Sequence, residues 1–142
     1  MYGGFAGGQF GGGETLLSQR NWVTNPAILS GDIGVLGDTS DNAYHVVVSA
    51  GTVGVAALDG FTITKGVSKS AFSNNTINST IIDRALGGGM VNANASPTIT
   101  NCIFTSNVSV YGGGMCNLTT ASPIISNTNF TGNIANRGSG MY

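Results

Sequence analysis

The feature that most constrains this chain is that its C-terminal half repeats itself. Gly87-Gly88-Gly89-Met90 returns as Gly112-Gly113-Gly114-Met115 and again as Gly138-Ser139-Gly140-Met141. The methionines are 25 and 26 residues apart. Between them, Ser96-Pro97-Thr98-Ile99-Thr100-Asn101-Cys102-Ile103-Phe104-Thr105-Ser106-Asn107 aligns with Ser122-Pro123-Ile124-Ile125-Ser126-Asn127-Thr128-Asn129-Phe130-Thr131-Gly132-Asn133. Leu58-Asp59-Gly60-Phe61-Thr62-Ile63 is a weaker third copy, with Gly60 at the Asn101 position and Ile63 at the Phe104 position. Ala27 to Gly31 and His45 to Val48 read as strands of still earlier units.

A period of 20–50 residues means stacked or radial repeats. These repeats hold short β runs of alternating character, broken by Gly, Asn, Ser and Pro. A propeller blade needs about 40 residues. About 25 residues suit one turn of a parallel β-helix, with three short strands and three turns. Each turn would rise roughly 4.8 Å, the spacing between neighbouring strands. The expected architecture is therefore an all-β, single-domain parallel β-helix of about five coils spanning residues 1–142. Residues 66–86 form an excursion, because this segment is longer than its counterparts.

Within a coil, Ile99, Cys102 and Phe104 are expected to point inward, and so are Ile125, Thr128 and Phe130. Asn101 breaks the alternation, since Asn tolerates a left-handed backbone. Stacked Asn side chains can also bond along the ladder. Met90, Met115 and Met141 should form a soft apolar stack. Cys116 follows an inward Met and should face out, so it and Cys102 are expected to be free thiols.

Composition narrows the function classes. Only 8% of residues are charged and the net charge is −1. Five Lys+Arg residues cannot track a phosphate backbone, which excludes a basic nucleic-acid binder. The A/E/K/L/R content is too low for a helical bundle. Glycine is abundant at 23 residues but lacks the Gly-X-Y period of collagen. No apolar run approaches a membrane span. The start shows neither a basic n-region nor an apolar h-region, although a mature or excised segment would look the same.

The Gly-Gly-Gly-Met opening and the Phe-x-x-Asn closing resemble the repeats of polymorphic outer-membrane proteins and related bacterial right-handed parallel β-helix proteins. Phe104…Asn107 and Phe130…Asn133 carry the second motif, with Phe72…Asn75 as a stray match. Gly89 and Gly114 stand where that family often has alanine. The stretches Tyr2 to Gly7, Ser18 to Trp22, Ile28 to Ile33 and Tyr44 to Val47 are similar to the same broad group. The resemblance implies a right-handed, pectin-lyase-like coil and a secreted or cell-surface location, outer-membrane-associated in bacteria. It also implies a structural or adhesive role. A minority of β-helices are polysaccharide lyases or hydrolases, which is the alternative reading.

The sequence begins inside a strand-like motif and stops just after the third Gly/Met opening. No capping helix or polar end repeat is evident, as a solenoid would need. Two expectations follow. The coils adjoin further coils of a longer chain, or open ends stack on a second copy into fibres.

No catalytic, cofactor or metal site is expected. The acids are Glu14, Asp32, Asp38, Asp41, Asp59 and Asp83. A glycosidase needs two carboxylates across a sugar, and none of these pairs by spacing. Asp59 reads as a turn residue. Asp32, Asp38 and Asp41-Asn42 could offer oxygens to calcium, but a Gly/Asp/Ser turn accounts for them. His45 reads as a hydrogen-bonded wall residue. Arg20-Asn21-Trp22 could stack on a sugar, or pack a loop onto the wall. The glycines at 3–13 do not make a phosphate loop, for no Gly-Lys-Ser/Thr follows. Loop 66–86, with Lys69, Asp83 and Arg84, could meet a partner or be a tolerated insertion. Surface glycans are the other candidate partner. Sequons begin at Asn74, Asn78, Asn94, Asn107, Asn117 and Asn129, although so Asn-rich a chain produces them by chance. A flat ice- or mineral-binding face would need regular outward Thr rows, and Thr100/Ser126 with Thr105/Thr131 give only two rungs.

Overall fold

The computed structural model describes residues 1–8, 13–69, 73–118 and 120–142. Fifteen short strands carry it: β1 (Ala27–Ser30), β2 (Val47–Ala50), β3 (Ala57–Asp59), β4 (Phe61–Thr64), β5 (Val67–Ser68), β6 (Asn74–Ile77), β7 (Thr80–Asp83), β8 (Met90–Ala93), β9 (Thr98–Thr100), β10 (Ile103–Thr105), β11 (Val108–Tyr111), β12 (Met115–Leu118), β13 (Ile124–Ser126), β14 (Asn129–Thr131) and β15 (Ile134–Arg137). Among the described residues the one helical element is a 3-10 turn, Leu17–Gln19.

Strands pair with their counterparts one repeat away. The parallel sheets run β1-β4-β10-β14, β15-β11-β5, β12-β8-β2 and β13-β9-β3. Phe104 faces Phe130 on one side and Ile63 on the other, so the weak third copy has the register its sequence implied. Tyr2 adds a bridge to Asp59, and Met141 adds one to Met115. The deepest sheet is thus four strands deep, where the spacing implied about five levels, because residues 3–8, 13–26 and 31–46 run outside strands. Each full repeat also holds four strands, not three. Asn101, at φ 53°, splits one run into β9 and β10.

Single left-handed residues sit at equivalent bends. Gly60, Asn101 and Asn127 occupy one row, Lys65, Ser106 and Gly132 a second, and Gly87, Gly112 and Gly138 a third. The third glycine of each triplet has a different cause. A Cβ on Gly89 would lie 2.4 Å from the Gly114 carbonyl oxygen, and one on Gly114 2.5 Å from that of Gly140. Close passage of successive backbones leaves no space for the alanine found in the resembling repeats.

The inner core contains Leu58, Phe61, Ile63, Met90, Ile99, Cys102, Phe104 and Met115, with Ile125 and Phe130 packed against it. Phe104 and Phe130 stack at 4.9 Å between centroids and 10° between planes, worth about 0.5–1.5 kcal/mol beyond burial. Thr128 is half-buried, and its hydroxyl accepts the Cys102 amide at 3.4 Å. Met90 and Met115 are buried while Met141, at the end of the stack, is 41% exposed.

Buried asparagines connect the rungs. Asn107 Nδ2 donates to the Ile63 carbonyl at 3.0 Å and to Asn133 Oδ1 at 3.0 Å. Its Oδ1 accepts the Gly66 amide at 3.0 Å. Asn133 repeats the pattern, donating to the Phe104 carbonyl at 2.8 Å and accepting the Asn107 amide at 3.1 Å. The Asn of Phe-x-x-Asn therefore reaches back one repeat to the residue at the Phe position.

The expected 66–86 excursion is narrower: Val67 and Ser68 stay in the stack beside β11, and residues 74–83 leave it as an antiparallel hairpin, β6 with β7. Asn78 and Ser79 form its two-residue loop, both at positive φ, as a primed hairpin turn requires. The hairpin folds back onto the sheet. Ile82 is fully buried with Ala50, Val91 and Ala93, and Val48, Leu86 and Leu118 pack beside them. This second cluster corrects the expectation for Cys116. It lies on the strand face opposite Met115, but it is 0% exposed, beside Val91 in the register. The β8 strand is buried on both faces for the same reason. Phe72 of the stray Phe-x-x-Asn match lies outside the described residues.

Asn107→Ala should lower unfolding stability by about 2–4 kcal/mol, since it strands a buried carbonyl and amide. The exposed Asn136→Ala should change it by less than about 0.5 kcal/mol. Urea midpoints at constant slope measure both. Gly89→Ala should also destabilise, through backbone contact.

Candidate functional site

The outer face formed by β4, β10 and β14 carries a groove of about 370 Å³, beside the loop that holds Trp22. Trp22, Pro26, Thr62, Ile103, Asn127 and Asn129 help line it. Register explains the juxtaposition: Ile28, Thr62, Ile103 and Asn129 are successive partners, so their side chains form one outward row.

Trp22 is fixed from behind. The Arg20 guanidinium lies 4.9 Å from its ring centroid and 5.3 Å from that of Tyr2. Arg20 also pairs with Asp59 at 2.5 Å, both side chains largely buried. Asp59 Oδ1 accepts the Asn101 amide at 2.8 Å, and Asn101 Oδ1 accepts that of Asn127 at 2.5 Å. Arg20, Asp59, Asn101 and Asn127 thus form one polar line along the stack. Asp59 ends β3 just before the Gly60 bend, in agreement with its reading as a turn residue. Trp22 packs a loop onto the wall and also lines the groove.

The other acids are held apart. Asp32 accepts from Lys65 Nζ and from the Gly37 amide, and the Lys65 ammonium holds its carboxyl below the usual range. The Ser40 amide does the same for Asp38, and the Ala6 amide for Glu14. Asp41 accepts the Val35 amide and Asp83 the Ala85 amide. Among the described residues no three His, Cys, Asp or Glu side chains cluster. The carboxylates of the Asp32–Asp41 loop bind backbone amides, which tie the loop to itself. Of the glycine-rich N-terminus, residues 9–12 lie outside the described residues. Gly3 donates its amide to the Asp59 carbonyl at 2.8 Å.

His45 is largely buried beside the hairpin. Its Nδ1–H donates to the Gly87 carbonyl at 3.1 Å, while Nε2 is buried with no partner among the described residues. Burial lowers its pKa, and the Gly87 and Leu86 carbonyls and Asp83 oppose the shift. Both cysteines are free and buried. Burial raises both thiols, Cys116 to about 11.

The sequons divide by exposure. Asn74, Asn78, Asn94 and Asn129 are exposed, whereas Asn107 is fully buried in its ladder. Asn117 is half-buried and accepts from Asn92 at 2.8 Å; Thr119 of its sequon lies outside the described residues. Outward hydroxyl side chains line up further than the repeats implied. Ser30, Thr64, Thr105 and Thr131 make four rungs. The adjacent row mixes Ile, Thr and Asn, which breaks the regularity a repeating lattice would need. Among the described residues, no helix is long and apolar enough to cross a membrane.

Sequence reasoning flagged Trp22 but missed Thr62, Asn127 and Asn129. The signal was present in the repeat offset, which places 62, 103 and 129 in one row. Two outcomes are expected. A His with a lowered folded pKa stays neutral when folded and takes a proton on unfolding, so stability falls as pH drops below about 6.5. Thermal midpoints between pH 7.5 and 5 should show this decline, and His45→Gln should flatten it. Alkylation at pH 8 should label neither thiol until the chain is unfolded.

No protein-family model matches the chain, no curated protein matches it, and no solved structure matches it.

Proposed function

We propose that this chain is a module of a right-handed parallel β-helix with a non-catalytic, structural or adhesive role at an extracellular or cell-surface location. The observation that carries this reading is the asparagine ladder. Each Phe-x-x-Asn amide bonds the rung before it, so equivalent strands are matched in register along one axis. Such a scaffold is defined by stacking, and its chemistry is passive. The engagement of each acid by backbone or cationic partners supports a non-catalytic role.

The same ladder supports growth along the axis. Strands β13, β14 and β15 each have a neighbour on one side only among the described residues, as does β2 at the opposite edge. Free parallel edges are templates for further strands. Those strands belong either to adjoining coils of a longer chain or to a second copy stacked end to end. Ile134, 63% exposed at the open end of the row that starts with buried Val67 and half-buried Val108, would be covered by either.

Electron microscopy of the purified 142-residue chain, before and after dilution, tests the second-copy form. Uniform filaments with an axial repeat near four strand spacings, roughly 19 Å, are expected. Dispersed particles at all concentrations would rule out stacking of copies and leave the adjoining-coil form.

A further inference from the structure

We propose that the groove beside Trp22 binds a neutral glycan chain. The inference rests on the adhesive reading above and gives it a ligand class.

Three observations carry it. First, the groove is walled by an indole that is already held in place. Arg20 covers Trp22 at 4.9 Å, and its backbone is pressed against Gly4, where even a Cβ would come within 2.7 Å of the Trp22 amide nitrogen. A fixed aromatic wall with Pro26 and Ile103 beside it suits the apolar face of a sugar ring, and little ordering is left to pay on binding. Second, polar groups converge there without protein partners. Among the described residues, Asn127 Oδ1, the Asn129 side-chain amide and the Thr62 hydroxyl make no hydrogen bond. Amides and hydroxyls on neighbouring rungs can donate to and accept from sugar hydroxyls. Third, among the described residues no ionisable acid or base lines the groove apart from the buried Cys102. The carboxylate of Asp59 is bonded to Arg20 and Asn101. This charge-free wall offers nothing to a phosphate or a uronate.

An extended peptide fits less well. The groove lies on the outer faces of β4, β10 and β14; β4 and β10 are paired on both sides, and the open edge of β14 lies at the end of the sheet and not on its face, so the groove itself offers no edge to a strand. The volume, about 370 Å³, is at the small end of ligand clefts. The lining spans three successive rungs, Thr62, Ile103 and Asn129, which suits a chain longer than one sugar. With no free carboxylate pair in the groove, the glycan is bound and not cleaved.

Trp22 is the single tryptophan, so its fluorescence reports on this groove alone. Titration with cellohexaose, mannohexaose and N-acetylchitohexaose should give a saturable change with at least one of them. By calorimetry, Trp22→Ala should weaken that binding at least tenfold and Asn129→Ala about three- to tenfold. Ile81→Ser, on the exposed hairpin strand, should leave it unchanged. Asn129 is exposed at an edge strand, so its variant keeps the test decisive if Trp22→Ala fails to fold. The hexasaccharide mass should be unchanged after overnight incubation. No saturable response to any of the three, binding indifferent to both groove variants, or cleavage of the sugar would each overturn the proposal. None of those results bears on the stacked module itself, which microscopy tests separately.

Discussion

The buried side-chain amide of Asn107 is the interaction on which the remaining structure depends. Parallel strands this short hold few backbone bonds each, and a slip of one residue would turn every inner side chain outward. Asn107 opposes that slip. It donates to a carbonyl of the previous rung, accepts an amide from it, and donates to Asn133 of the next rung. Leaving such a group unpaired in the core costs more than forming the bond gains. The penalty for a shifted register is therefore concentrated at one residue per repeat. The stacked pair Phe104 and Phe130 follows from that register.

With the inner face fixed, the outer faces become available for other uses, and they diverge. One sheet is roofed by the 74–83 hairpin, which buries Val91 and Ala93 under Ile82. Another is flanked by the Trp22 loop and stays open. The two outer faces have different fates because one insertion carries apolar residues that cover its sheet and the other carries an aromatic that walls a groove. The polar line from Arg20 to Asn127 joins the Trp22 loop to the rungs.

Much of this was legible in the repeats. The 26-residue offset places Phe104 on Phe130 and Ile99 on Ile125, and the 41-residue offset places Ile63 on Phe104. The need for a left-handed residue at 60, 101 and 127 was legible because Gly and Asn are the residues that take it at low cost. Lys65 and Ser106 occupy the same kind of bend and gave no such signal, since neither type favours it. Burial of Cys116 was not legible either. Alternation assigns the strand face correctly, but only tertiary packing says whether that face meets water or a hairpin. The groove was half legible: Trp22 stood out by type, whereas Asn127 and Asn129 looked like two more polar residues in an Asn-rich chain.

Amide hydrogen exchange at Gly66 tests the central claim most directly. This amide is bonded to a side chain, Asn107 Oδ1, one rung away, so its protection reports the ladder itself. It should exchange slowly in the native chain and lose protection in Asn107→Ala, while a core amide such as that of Phe104 stays protected. Fast exchange at Gly66 in the native chain, or protection that survives Asn107→Ala, would contradict the account.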